Sequence, residues 1–513
     1  MNDAHENIAN DGSELLPLEL YTAADVRELD RLAIASGITG ISLMKRAGHA
    51  AFNVLINEWP ECEGLTVFVG GGNNGGDGYV IAALAAQRLL SVEVVTIAAP
   101  TELNGDAQTA YQYALQEGVQ CISLDQWEPK GGRVIVDALL GTGFSGVLRE
   151  PFVEAIATIN DSGLAVLAVD VPSGMCADTG SVAGGSVAVA AQVTVAFVGV
   201  KRGLLTGRGP ELAGEVYFND LHVTREIYTQ VPVATECIDL PEMLANLPVR
   251  AADTHKGELG HVMIIGGDYG FGGAVILAAE AAARAGAGLI SVATRPEHVS
   301  ALLARCPEVM AIGVTSGQEL APWLARPSVL VVGPGLGQSP WSEQMLQQAD
   351  AANLPMVVDA DALNILSANR VITIESRENW LLTPHPGEAA RLLNLSTAEV
   401  QADRFTAVRE LQGRFGGVAL LKGAGSLIAD GSDIVSLLTE GNSGMASGGM
   451  GDVLSGLLGS LIAQGIPLAR AAKLGSALHA AAADAAVTNI GVRSLLASDL
   501  LPYVCDLLAQ ADA

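Results

Sequence analysis

Apolar runs rich in β-branched residues recur along this chain, and most close on glycine, proline or aspartate before a helix-like stretch. In the first half they are LTVFVG at 65–70, VEVVTI at 92–97, RVIVDAL at 133–139, AVLAVDVP at 165–172 and VTVAFVG at 193–199. A second series follows, with HVMIIGG at 261–267, LISVAT at 289–294, SVLVVGPG at 328–335, PMVVDAD at 355–361, WLLTPHPGE at 380–388 and VALLKGAGS at 418–426. Runs that do not alternate with polar residues are buried on both faces, so the pattern predicts largely parallel sheets covered by helices. Between Arg225 and Pro248 the pattern breaks at Pro232, Pro241 and Pro248. That break divides the chain into an α/β domain over 1–228, a linker over 229–240 and a second α/β domain over 241–513. The two series share an architecture but no order of motifs, so there is no internal repeat.

Composition narrows the class. At 513 residues the chain is too long for one ordinary core. Half of it is hydrophobic, with 59 glycines and only 4% aromatic residues, the balance of a glycine-rich α/β enzyme. A formal charge of −28 argues against nucleic-acid binding, which needs a basic footprint. The run Val187 to Val200 contains Gln192, is followed by Lys201 and Arg202, and is too short to span a membrane. Six cysteines, at 62, 121, 176, 237, 306 and 505, form no C-x-x-C pair. They point to a reducing compartment rather than to zinc or disulfides. The opening MNDAHENIANDGSELL is acidic and polar, unlike a signal peptide, so a soluble cytoplasmic protein is expected.

Candidate chemistry sits at the strand ends, where open α/β sheets place their ligand crevice. LTVFV runs into GGGNNGGDG, read as a loop over Gly70 to Gly78 before a helix beginning YVIAALAAQRLL. Its glycines permit close backbone approach to a phosphate, yet it is neither G-x-G-x-x-G nor a Walker loop. Asp137 ends the strand of VDALLGTGFSGVLR, and Asp170 and Ser173 follow the strand of AVDVPSGM. Oxygens from Asn74, Asp137 and Ser173 suit a hard, weakly held cation, although each residue also suits a helix cap or turn. GGGNNGGDGYV, DALLGTGFSG and AVDVPSG resemble the motifs of the NAD(P)H-hydrate epimerase family over most of residues 20–225. The resemblance implies a Rossmann-like, three-layer domain that interconverts the R and S epimers of hydrated nicotinamide cofactors. It also implies that Asn73, Asn74, Gly75, Gly76 and Asp77, with Gly141, Thr142, Gly143, Phe144, Ser145, Gly146 and Val147, contact the substrate. On the same grounds Asn74, Asp137 and Ser173 surround a potassium ion, and Asp170 is the acid/base group beside the reacting carbon.

In the second half NSGMASGGMGD, Asn442 to Asp452, brings glycines 448, 449 and 451 together before an apolar helix read as starting at Asp452. Unpaired amides and the helix dipole make an anion hole there, and the carboxylate is expected to stay ionised as a base. Asp359 and Asp361 in DADALN cap a helix or orient a ligand. His385 and Glu388 in TPHPGE touch substrate, cap a helix or orient metal-bound water. Together with IIGGDYGFGGAVILAAEAAARAGAGL, GPGLG and LKGAG, these stretches resemble the ADP-dependent NAD(P)H-hydrate dehydratase family, which is ribokinase-like, over about residues 250–510.

That resemblance implies Ala274, Gly335, His385 and Asp452 at the hydrated substrate. It places Lys422, Gly423, Ala424, Gly425, Ser426 and Gly451 at the adenine nucleotide, with ADP as co-substrate. Phosphorylation turns the ring hydroxyl into a leaving group, Asp452 takes its proton, and the phosphate chemistry brings in magnesium. The choice of ADP over ATP rests on the resemblance alone. A small-molecule kinase and a nucleotide-sensing, protein-binding module are the alternatives. Alanine-rich helices at 273–288 and 468–487 are able to bury against a neighbour as easily as in the chain's own core, and a homo-oligomer, a tetramer or higher, is expected.

Overall fold

The computed structural model describes residues 16–511 except 100, 102, 145, 183–186 and 374. Ser145 and the acidic opening through Leu15 lie outside the described residues. The chain forms two compact units, Met1–Thr235 and Glu236–Ala513. Among the described residues no helix is long and apolar enough to cross a membrane, and all six cysteines are free.

In the first unit seven strands lie in the order Gln120–Ser123, Ser91–Thr96, Gly64–Val69, Arg133–Ala138, Ala165–Val169, Val193–Phe197 and Glu215–Asn219. Every neighbouring pair is parallel. The strands read as unbroken apolar runs because both faces are covered. Val67 and Val69 join one core with the helices Gly40–Glu58 and Asn73–Gln87, while Phe68 joins a second with the helix Phe152–Asp161. Chain order reverses between Gly64–Val69 and Arg133–Ala138, and a crevice opens beyond their carboxyl ends. A short parallel pair, Glu19–Tyr21 with Val200–Lys201, is not part of this seven-stranded sheet.

The second unit repeats the principle. Met310–Gly313, Leu289–Thr294, His261–Ile265, Val329–Val332, Met356–Val358, Trp380–Leu382 and Val418–Leu421 are successively parallel. Leu427–Ala429 and Val435–Leu437 then continue the sheet antiparallel. The reversal falls between His261–Ile265 and Val329–Val332, which places IIGGD and GPGLG side by side.

Three expectations change. The helix after the first strand begins at Asn73, so only Gly70–Gly72 form a turn and the NNGGDG segment is helical. Its glycines serve packing: a Cβ at Gly75 would run into the Gly70 carbonyl oxygen, and one at Gly78 would lie 2.7 Å from the Ala138 Cβ. The later helix starts at Met450, with Gly449 at φ +93° before it, so Asp452 lies inside the first turn. Finally, the alanine faces of Gly272–Arg284 and Leu468–Ile490 are buried within the second unit, around the helix Met450–Ala463. Those alanines are not left over for a neighbouring copy.

Candidate active sites at two strand-end crevices

The crevice of the first unit is a cavity of about 660 Å³, a common size for a small-molecule site. Asn73, Asn74, Asp77, Gly141, Thr142, Gly143, Phe144 and Asp170 line it. Gly75 and Gly76 do not, being buried against Gly70 and Met44, and Val147 is exposed outside it. Gly146 is exposed and is likewise not part of the lining.

Asp137 and Ser173 are fully buried behind this wall. Asp137 accepts from Ser173 N at 2.8 Å, Ser173 Oγ at 2.6 Å and Leu139 N at 3.2 Å. Burial nonetheless pushes its carboxyl up to about 6, against those three hydrogen bonds. Asn74 Nδ2 is buried with no hydrogen-bond partner, and its side chain lies against Gly141. The group therefore offers carboxylate, hydroxyl and amide oxygens, because an amide turned over exchanges its nitrogen for an acceptor.

Asp170, at φ +70°, receives a hydrogen bond from the Nζ of Lys201, a lysine with no exposed surface. Lys201 Nζ also donates to Phe197 O at 2.9 Å, fixing the ammonium between strand and carboxylate. Asp30 and Asp77 face the same cavity. Burial lifts Asp30 to about 6 and Asp77 well above the usual carboxylate range, with the charge of Asp170 adding to both and Lys201 opposing. Sequence reasoning missed Lys201 and Asp30. Lys201 had registered only as a charge ending an apolar run, and its enclosure in VGVKRG was the available signal.

In the second unit Asp359, 1% exposed, ties three elements together. It accepts from Lys422 Nζ at 2.9 Å, Thr383 Oγ1 at 2.8 Å and Ser455 Oγ at 2.8 Å. Burial works to raise its pKa, but Lys422 and these donors outweigh it and hold the carboxyl below its ordinary value. Lys422 is raised in turn: burial disfavours its charge, and Asp359, Glu388 and Asp452 restore it. A Cβ at Gly451 would stand 3.4 Å from Lys422 Nζ, so glycine leaves the ammonium open on that side. Burial and the charge of Asp359 push Asp452 up to about 7, with Lys422 opposing. Near neutral pH its carboxyl therefore exchanges protons rather than staying ionised as expected.

His385 and Glu388 form a capping box at the helix Pro386–Leu393, with Glu388 accepting from His385 N at 2.8 Å and His385 Nδ1 from Gly387 N at 3.0 Å. Burial and the charge of Lys422 lower the imidazole's pKa, favouring its neutral form. Ala274 and Gly335 come together, a Cβ on Gly335 falling 3.0 Å from that of Ala274. Gly337 N donates to Asp361 at 2.9 Å, linking the GPGLG turn to the carboxylate cluster around Asp452. Ser426 spends its hydroxyl on Gly423, accepting from its N at 3.2 Å and donating to its O at 3.1 Å. Asp484 was not foreseen; it anchors the start of the glycine loop through Gly441 N at 2.8 Å and Asn442 Nδ2 at 2.7 Å.

These features define a two-site α/β enzyme, each unit built on a largely parallel sheet whose strand order reverses at a ligand crevice. Residues 262–505 match the family described as NAD(P)H-hydrate dehydratase, and residues 40–203 the family described as YjeF-related protein N-terminus. The bifunctional NAD(P)H-hydrate repair enzyme Nnr of Coxiella burnetii is 47% identical over 485 residues, covering 94% of this chain and 98% of that one. Its counterpart in Vibrio cholerae is 42% identical over 494 residues, covering 96% and 99%. A solved structure of the protein SMU.573 from Streptococcus mutans, 26% identical, covers 54% of this chain and all of that one, with a TM-score of 0.50. This chain belongs to the family of bifunctional NAD(P)H-hydrate repair enzymes, with an epimerase and a dehydratase domain.

Proposed function

We propose that the first unit interconverts the R and S epimers of NAD(P)H hydrate and that the second dehydrates the S epimer at the expense of ADP, releasing AMP and phosphate. What carries this reading is the meeting of Asp452, Lys422 and Gly451 at one helix start. An anion would sit against the ammonium and the first-turn amides, and a carboxyl titrating at about 7 stands beside it. The hydroxyl proton passes to Asp452 and the hydroxyl oxygen takes the phosphoryl group from ADP as AMP leaves; the C–O bond then breaks to release phosphate, and the neighbouring ring carbon gives up a proton to solvent to close the ring double bond. Epimerisation needs the same bond to open and re-form without phosphorylation. The ring nitrogen's lone pair drives hydroxide out, water returns from the other face, and Asp170, held by Lys201, handles the proton.

A potassium ion fits the group formed by Asn74, Asp137 and Ser173. A fully buried carboxylate served only by neutral donors, beside an amide without a partner, suits a cation with weakly held oxygen ligands. Among the described residues no three His, Cys, Asp or Glu side chains gather to hold a metal. Magnesium would therefore arrive with the nucleotide's phosphates rather than in a protein cage. The free cysteines support a reducing, cytoplasmic setting.

The test is to supply R-hydrate and ADP and follow the absorbance of restored NADH, inactivating each half in turn. Both halves are expected to be required, with inorganic phosphate released. A stable phosphorylated product would instead make the second unit a kinase.

A further inference from the structure

Arg404 opens the helix Arg404–Phe415, whose N-cap Asp403 accepts from Thr406 N at 2.9 Å and so fixes where the arginine leaves the backbone. The side chain is 1% exposed and runs beneath the turn that follows the strand Val418–Leu421. Its Nη2 donates to Gly425 O at 3.2 Å, Leu421 O at 3.4 Å and Lys422 O at 3.5 Å, and its Nη1 donates to Gln401 Oε1 at 3.0 Å. The guanidinium also occupies the space of a side chain at 423. A Cβ on Gly423, at φ +145°, would stand 2.7 Å from Nη1. Glycine there is thus demanded twice, by backbone conformation and by the arginine.

We propose that Arg404 is the positioning residue of the nucleotide loop, its planar fork gripping the carbonyls of residues 421, 422 and 425 so that Lys422 is presented to the nucleotide's phosphates. The inference rests on the reading of Lys422–Ser426 as the ADP site and adds the group that shapes it. Three carbonyls drawn toward one guanidinium set the tilt of the peptide planes on either side of Lys422. A lysine ammonium, with a compact charge and no fork, cannot reproduce that. Burial lowers the pKa of Arg404 to about 10, so it stays protonated at neutral pH and adds positive charge beneath the site of the phosphates.

The test is calorimetric titration of ADP into the full chain, with steady-state kinetics for both substrates. In Arg404→Ala and Arg404→Lys the Kd for ADP is expected to weaken about tenfold or more, the scale of lost hydrogen bonds to a charged group. KM for the S-hydrate and the epimerisation rate should keep their wild-type values. Gly423→Ala should weaken ADP binding in the wild-type background and have a smaller effect in Arg404→Ala, because its backbone strain is common to both and only the clash disappears. Unchanged ADP affinity in Arg404→Ala, recovery by Arg404→Lys, equal losses for both substrates, or additive effects of 404 and 423 would each overturn the proposal. Should Arg404→Ala fail to fold, the Lys variant and Gly423→Ala decide by the same ADP and hydrate readouts. A wild-type chain that takes up no ADP removes the nucleotide-site reading itself, whereas binding that ignores Arg404 removes only the present inference.

Discussion

Burial and the negative charge of Asp359 bring the Asp452 carboxyl up to about 7, against the pull of Lys422, so activity and stability respond to pH in opposite directions there. As a base it works ionised, and the dehydration rate is expected to climb with pH and level off above about 7. For stability the raised value means that the folded state holds the proton more tightly than the unfolded chain does. The stability gained from that proton is full below the ordinary value of 3.8 and is lost as pH rises through about 7. Asp452→Asn should therefore abolish dehydration while melting progressively higher than wild type from about pH 4 upward, the gap becoming constant beyond about pH 7. Melting curves across that range, set beside the rate profile, check both signs. At the other site Lys201→Met should cut epimerisation about a hundredfold or more and leave dehydration unchanged. Equal epimerisation in a folded Lys201→Met protein would detach Asp170 from its proposed role. Asp170 and Asp452 were legible in the sequence because each lies at a glycine-rich strand or helix boundary. Lys201, Asp30 and Arg404 were not, because the burial of a charge depends on segments remote along the chain.

Glycine marks the elements more by how closely they approach than by where they turn. Gly75 and Gly78 let the helix Asn73–Gln87 lie against the sheet, and Gly456 does the same where Met450–Ala463 crosses Gly272–Arg284. A Cβ at Gly456 would run into the Ala278 carbonyl oxygen and stand 2.9 Å from the Ala281 Cβ. Alanine favours a helix by about 1 kcal/mol over glycine, yet the clash is with backbone that cannot rotate away. Gly456→Ala is thus expected to destabilise the second unit by about 1–3 kcal/mol, measured by denaturant unfolding, and to displace the helix carrying Asp452. A variant as stable as wild type would mean that the two helices have room to part. The same ambiguity explains how the elements were read. Each of the β-branched apolar runs of the two series holds a strand, whereas the alanine-rich run YVIAALAA lies in the helix Asn73–Gln87. The segment NNGGDG was read as a loop because glycine carries the same signature whether it frees the backbone or thins a helix. Short strands such as Leu427–Ala429 and Val435–Leu437 are specified by the neighbours they pair with, which local sequence does not contain.

Across the whole molecule, Asp and Glu outnumber Lys and Arg by 56 to 28, yet cations stand at both strand-end sites, buried Lys201 at one and half-buried Lys422, with Arg404 buried beneath its turn, at the other. Cations are spent where anionic ligands must be met, and the acidic surplus is left to carry the chain's negative charge. Each unit has its own reversal of strand order and its own candidate proton-handling carboxyl, so each proposed half-reaction is expected to run within one unit. On that expectation an S-hydrate released by the first would be taken up by the second from solution. An equimolar mixture of Asp170→Ala and Asp452→Ala chains should therefore restore NADH from R-hydrate and ADP, one variant supplying epimerisation and the other dehydration. Neither alone should do so at the mixture's rate, and dilution should slow the mixture as expected for a released intermediate. A mixture that stayed silent while each variant kept its own half-reaction would show instead that the S-hydrate has to be handed on within a single chain.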